Sequence, residues 1–177
     1  TPGLAVTYKS TDGAVNLDAS RIEFLSDKLV ATGKVHLHWV DSIKKITVNA
    51  DAQKMVVKTM PEQGAKTSKP RTTVESATLS GPTRIVYVTT DAAGKSTITA
   101  NADNADFDGK ANLVHLTGSV KIINDNPAMF SAPATMTGDK ATLNLKPQGP
   151  DDFRFRVETA EPGTSSVTAT PKAQKAE

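Results

Sequence analysis

The stretch ITANADNADFDGKANLVHLTGSVKII, residues 98–123, carries the pattern that decides the fold. Its second half alternates cleanly: Val114, Leu116, Gly118, Val120 and Ile122 fall on one parity, with His115, Thr117, Ser119 and Lys121 on the other. That two-residue period is the signature of a half-buried strand. The first half alternates too, but its apolar parity switches. Ile98, Ala100 and Ala102 are even, whereas Ala105 and Phe107 are odd. A strand that keeps one face inward through such a switch must turn a corner or bulge. The small polar residues around Asp103 suit a corner, because Asp and Asn side chains bond their own backbone.

Working outward, the same two halves recur. Val15, Leu17 and Ala19 share one parity, Ile22 and Phe24 take the other, and after Ser26-Asp27-Lys28 the odd positions run from Leu29 to Trp39. Ala19 to Phe24 matches Ala102 to Phe107 at an offset of 83, and Gly33 matches Gly118 at an offset of 85. A further copy starts at Ile46, with Val48 and Ala50 before the switch and Met55 and Val57 after it; Leu79, Gly81, Ile85 and Tyr87 supply its glycine strand. Between them Lys58–Thr73 loses periodicity and carries Pro61, Gly64 and Pro70, which reads as an exposed loop insertion. Asp91 to Gly94 reads as a hairpin turn. Phe130 to Met136, then Ala141, Leu143 and Leu145, flank another switch near Gly138-Asp139, and Phe153, Phe155 and Val157 make a last short strand. Residues 1–158 thus form one domain, and 159–177, rich in Pro, Ser, Thr, Ala and Lys, read as a disordered tail.

Composition agrees with this layout. The chain has 177 residues, of which 37% are hydrophobic and 5% aromatic, so its core is thin and spread over many short strands. Lys plus Arg is 21 against 19 for Asp plus Glu, a formal net charge of +2, and nothing there points to nucleic acid. Cysteine is absent, which excludes disulfides and thiol chemistry. The opening Thr1-Pro2-Gly3 reads as a processed or trimmed N-terminus that has lost a signal or an anchor.

A unit of corner, strand, turn and glycine strand buries its single apolar face only by stacking on its neighbours. The expected object is an all-β, repeat-built pair of facing antiparallel sheets around an elongated apolar groove.

These residues resemble a family. An Ala-Asp-like corner, an apolar pair, a polar turn and then Thr-Gly-x-Val-x-apolar look like the OstA-like proteins of lipopolysaccharide transport, of the LptA and LptC type. The matching pieces are Ala19 to Leu37, Ala50 to Val57 with Leu79 to Tyr87, and Ala102 to Ile122. The resemblance implies a twisted, V-shaped β-jelly roll in the bacterial periplasm. Its groove would shelter lipid A acyl chains of lipopolysaccharide between the inner and outer membranes. It implies no enzymatic activity and no cofactor. As partners it implies other β-jelly rolls of the transport system, joined edge to edge, including head-to-tail copies of this chain.

Elementary energetics make a carrier necessary for such cargo. Exposing a CH₂ group costs about 0.8 kcal/mol, so an acyl chain of roughly a dozen carbons faces a barrier near ~10 kcal/mol in water. The inward parity supplies a lining: Ile22 and Phe24; Val35, Leu37 and Trp39; Val48, Met55 and Val57; Leu79, Ile85 and Tyr87; Phe107; and Leu116, Val120 and Ile122. Any one of them equally fits a sandwich core, since apolar alternation is the rule in half-buried strands. Trp39 and Tyr87, with an apolar body and a polar tip, suit a groove mouth. Unpaired strands at the sheet ends suit augmentation by a partner's edge.

Catalytic signals are weak. His36 and His38 share one strand face, but no third ligand stands at a metal-binding spacing. Asp103, Asp106 and Asp108 cluster near a turn, an arrangement open to calcium, but read as corner residues that bond their own backbone they need no ion. Gly94-Lys95-Ser96 imitates the end of a phosphate loop, yet Thr89 occupies the first glycine position and a strand follows where a helix belongs. A structural or adhesive β-solenoid at the cell surface is the alternative reading of the repeats.

Overall fold

The computed structural model describes residues 4–10, 13–61, 72–91, 94–146, 154–160 and 165–172. These residues form eleven strands: β1 (Leu4–Ser10), β2 (Gly13–Ala19), β3 (Arg21–Phe24), β4 (Lys28–Asp41), β5 (Ile46–Pro61), β6 (Thr72–Asp91), β7 (Gly94–Asp108), β8 (Leu113–Asp125), β9 (Phe130–Asn144), β10 (Phe155–Glu158) and β11 (Ser166–Pro171). They make one sheet in the order β1-β2-β4-β5-β6-β7-β8-β9-β10, with β3 also on β4 and β11 also on β9. Every pairing is antiparallel. The chain therefore meanders, whereas a solenoid would coil.

One line of irregularities crosses the sheet. Gly33 and Lys34 of β4 face only Gln53 of β5, where the register jumps between Thr32 and Val35. The same jump recurs at Gly81-Pro82 opposite Asp103, and at Gly118-Ser119 opposite Asp139. Each glycine strand thus inserts one residue more than its neighbours, which bends and twists the ladder at that level. Both copies carry this bulge, and the two-residue difference in offset between them lies in the turn before it: four residues separate the partners Phe24 and Leu29, and six separate Phe107 and Val114.

Gly118 shows why glycine is needed there. Its φ is +76°, and a Cβ would lie 2.8 Å from Asp103 Cγ; Gly33 and Gly81, at φ +77° and +87°, meet Ser20 and Gln53 in the same way. Only a residue without a Cβ takes the left-handed conformation while the neighbouring corner side chain packs over it. At the first copy the corner is further tied by Ser20, whose backbone N and Oγ both donate to the Gly33 carbonyl at 2.8 and 2.9 Å.

The line divides the sheet into two arms. The first holds β1, β2 and β11 with residues 35–41, 46–52, 83–91, 94–102, 120–125 and 130–138; the second holds β3 and β10 with residues 28–32, 54–61, 72–80, 104–108, 113–117 and 140–144. Bending folds their inner faces onto each other, and a single cluster takes Leu17, Val35, Val120 and Ile122 from one arm and Met55, Leu79, Ala105 and Leu116 from the other. Two facing sheets were expected; a single sheet bent along its bulges provides both layers of the V-shaped jelly roll.

Two boundaries differ from the sequence reading. The loop expected over 58–73 is narrower, since β5 continues through Lys58 to Pro61 and β6 begins at Thr72; residues 62–71 lie outside the described residues. Within the expected tail, Ser166–Pro171 is a strand on β9, with Val167 opposite Met136 and the Thr137 and Ser166 hydroxyls 2.8 Å apart. Backbone pairing with an open edge holds this Thr- and Ala-rich segment without any buried side chain of its own.

Candidate functional site

The inner face of the V is an extended apolar surface that the repeats build. Its floor lies beside the bulges, where Ala31, Val35, Met55, Leu116, Val120 and Ile122 are each no more than 2% exposed. Alanines fill the tightest places on both sides of the corner: Ala19, Ala50, Ala52, Ala100, Ala102, Ala105 and Ala141 are all buried. Their small side chains let the two arms approach closely. Away from the corner the walls open. Leu29, Leu37, Val57, Ile85, Ile98 and Phe107 pack against the cluster but keep part of their surface exposed.

The expected lining residues fall into three groups, with Phe24 apart from them. Val35, Met55, Leu79, Leu116, Val120 and Ile122 are in the buried floor, and Ile22, Leu37, Val57, Ile85 and Phe107 pack against it from the walls. Leu37, Phe107 and Val120, from three strands and both arms, thus belong to one core. Trp39, Val48 and Tyr87 stand farther out. They are consecutive partners across β4, β5 and β6, next to Ile98 of β7, and all are partly exposed. Phe24 is not gathered in: it is 68% exposed, because among the described residues β3 pairs only with β4 and no strand covers its other side.

Thr83 stands on the inward parity of the glycine strand with Leu79, Gly81, Ile85 and Tyr87, whereas two other inner residues, Ala134 and Asn124, escaped the sequence reading. Thr83 is 4% exposed, with its hydroxyl donating to the Gly81 carbonyl at 2.8 Å. Ala134 and Asn124, at 2% and 5% exposure, face each other across β9 and β8. The signal for Asn124 was present, since it continues the inward parity of Val120 and Ile122. It was masked by the turn-like run Asn124-Asp125-Asn126-Pro127.

Electrostatics on the inner face are sparse. Burial pushes the Tyr87 phenol above its usual range, the Arg154 guanidinium opposes this, and Asp41 adds to it, so the phenol stays neutral at ordinary pH. Asp106, Asp108 and Asp51 sit elsewhere, near a turn or on the outer face. Asp108 accepts from the backbone N of Lys110 and of Ala111 at 2.8 and 3.1 Å, which holds its carboxyl below the usual carboxylate range. Asp106 accepts from Thr78 Oγ1 at 2.8 Å. On the outer face His36 Nδ1 lies 2.7 Å from Asp51, and His38 Nδ1 lies 2.7 Å from Asn49 Oδ1.

No family model and no curated protein sequence matches the chain. Nine chains of known structure do match. One is LptH of Pseudomonas aeruginosa, the LptA-homologous periplasmic component of a conserved lipopolysaccharide transport device. The match covers 89% of this chain and 95% of that one, with a TM-score of 0.58 at 14% sequence identity. The chain has the LptA-type fold. In this chain the fold rests on what the bent sheet requires: corner residues, bulge glycines and inward alternation. The motifs quoted from the sequence are those same features.

Proposed function

We propose that this chain is a periplasmic carrier that shelters the acyl chains of lipopolysaccharide in its trough on the way from the inner to the outer membrane. The observation that carries this reading is the exposure gradient of the inner face. A closed sandwich would bury its apolar residues to the strand ends on every strand, whereas here the corner is sealed and, along β4 to β7, the walls toward the tips of the V stay accessible. An acyl chain lying along the trough would meet Leu37, Trp39, Val48, Val57, Ile85, Tyr87 and Phe107, with the buried residues as a floor. The likeness to LptH supports the choice of cargo and compartment. No step of bond-making is asked of the protein; it lowers the cost of carrying apolar chains through water.

The same reading assigns the open edges to partners. Among the described residues β1 and β3 end the sheet on one side and β10 and β11 on the other, and strand edges of this kind suit another jelly roll or a second copy of this chain.

Photo-crosslinking in cells tests the cargo. A photoreactive residue at Leu37 or Phe107 is expected to label lipopolysaccharide, while one at the outward His115 does not. Equal labelling at all three positions, or none at the inner two, would overturn the proposal.

A further inference from the structure

The trough holds one buried polar group whose needs the fold leaves unmet. Asn124 is 5% exposed, and its Oδ1 has no hydrogen-bond partner among the described residues. It stands on the inward parity of β8, two residues beyond the fully buried Ile122, with Ile98 on one side and Ala134 on the other. Buried amide oxygens are almost always satisfied, so an orphan among apolar neighbours calls for a partner from outside the chain. An apolar residue of similar size would fit this place without the desolvation cost. The same cross-strand row carries Val48 and Tyr87, which places Asn124 on the wall that cargo would pass.

We propose that Asn124 is a specificity contact of the trough, which takes up the hydroxyl of a hydroxylated acyl chain and so favours it over a plain one. This rests on the carrier reading above and adds the chemistry of the chain that is held. A hydroxyl is the fitting partner because it both donates and accepts, and so meets either end of a carboxamide. A wholly methylene chain would leave the orphan buried, whereas a charged group would be too costly to place beside Ile98 and Ile122.

The test is displacement of a fluorescent fatty acid from the purified protein by 3-hydroxytetradecanoic acid and by tetradecanoic acid, both below their micellar range. The wild-type protein is expected to bind the hydroxylated chain about five- to tenfold more tightly, the range of one hydrogen bond that rescues a buried group. In Asn124→Leu that preference should vanish while the plain chain binds as well or better. Equal affinities in the wild type, a comparison that needs no variant, would overturn the assignment of Asn124 and leave the carrier reading standing. A preference retained in Asn124→Leu would overturn it too. Failure of both chains to bind the wild type would bring down the carrier reading and this inference together.

Discussion

At the scale of single residues the sheet is bent by backbone conformations that only certain side chains permit. Gly118→Ala would force a Cβ into the left-handed region and against Asp103, and is expected to cost about 1–3 kcal/mol in urea unfolding. Asp103→Ala should cost less, and the double variant should cost less than the two single costs added, because removing the Asp103 carboxyl clears the space that the new methyl needs. Strict additivity would show that the strain lies in φ alone. Asp108 offers a second residue-scale test, through pH. Its carboxyl is held below the usual range by two backbone N–H donors, so its folded value is depressed relative to an unfolded value of about 3.9. The ionised form therefore contributes stability above that pH, and the contribution is lost as pH falls through the lower folded value. Thermal unfolding should show Asp108→Ala less stable than wild type at neutral pH, with the gap narrowing below about pH 3.9. A gap that stays constant into acid would mean that the charge contributes nothing.

At the scale of elements, each strand owes its place to a neighbour, and the short end strands depend on a few side-chain ties. β10 is followed by Thr159 and Ala160, whose hydroxyl and backbone N donate to Asp139 Oδ2 at 3.0 and 2.8 Å. These two bonds fasten the end of β10 to the corner of β9. Asp139→Ala is expected to raise amide hydrogen exchange across Phe155–Ala160 while β4 to β8 keep their protection; exchange raised across the whole sheet would contradict so local a role. The dependence on neighbours also explains what could be read from the sequence. The corners near Ala19, Ala50 and Ala102 and the glycine strands were legible because parity and φ requirements are local. Phe24 alternates as correctly as Phe107, yet lies open because its strand has only one neighbour among the described residues, a fact of topology rather than of pattern. β11 was invisible because its hold is backbone pairing to β9, which Thr and Ala do not advertise. Asn124 was hidden because burial at a strand end is set by what folds over it.

At the scale of the whole molecule, nine strands lie side by side in the first arm, from β1 through β9 to β11. At roughly 4.8 Å between strands they span only ~38 Å, so one copy offers a short length of trough and a longer path requires copies joined end to end. The two ends are unlike. One presents β3 with exposed Phe24 and, just beyond it, Leu25; the other presents β11 with exposed Val167. A contact between unlike ends is heterologous and propagates without closing, so the proposed assembly is a head-to-tail chain whose mean length grows with concentration. Phe24→Asp and Val167→Asp each place a charge on one edge. Because both side chains are exposed, neither should change monomer stability by more than about 0.5 kcal/mol. In sedimentation velocity the wild type is expected to form progressively larger species as concentration rises, and each variant alone to remain monomeric. The mixture is the sharper experiment: each variant keeps the end that the other has lost, so equal amounts should form dimers and stop there, since every dimer exposes only blocked edges. Chains longer than two in the mixture, or growth by either variant alone, would show that copies associate through some other surface.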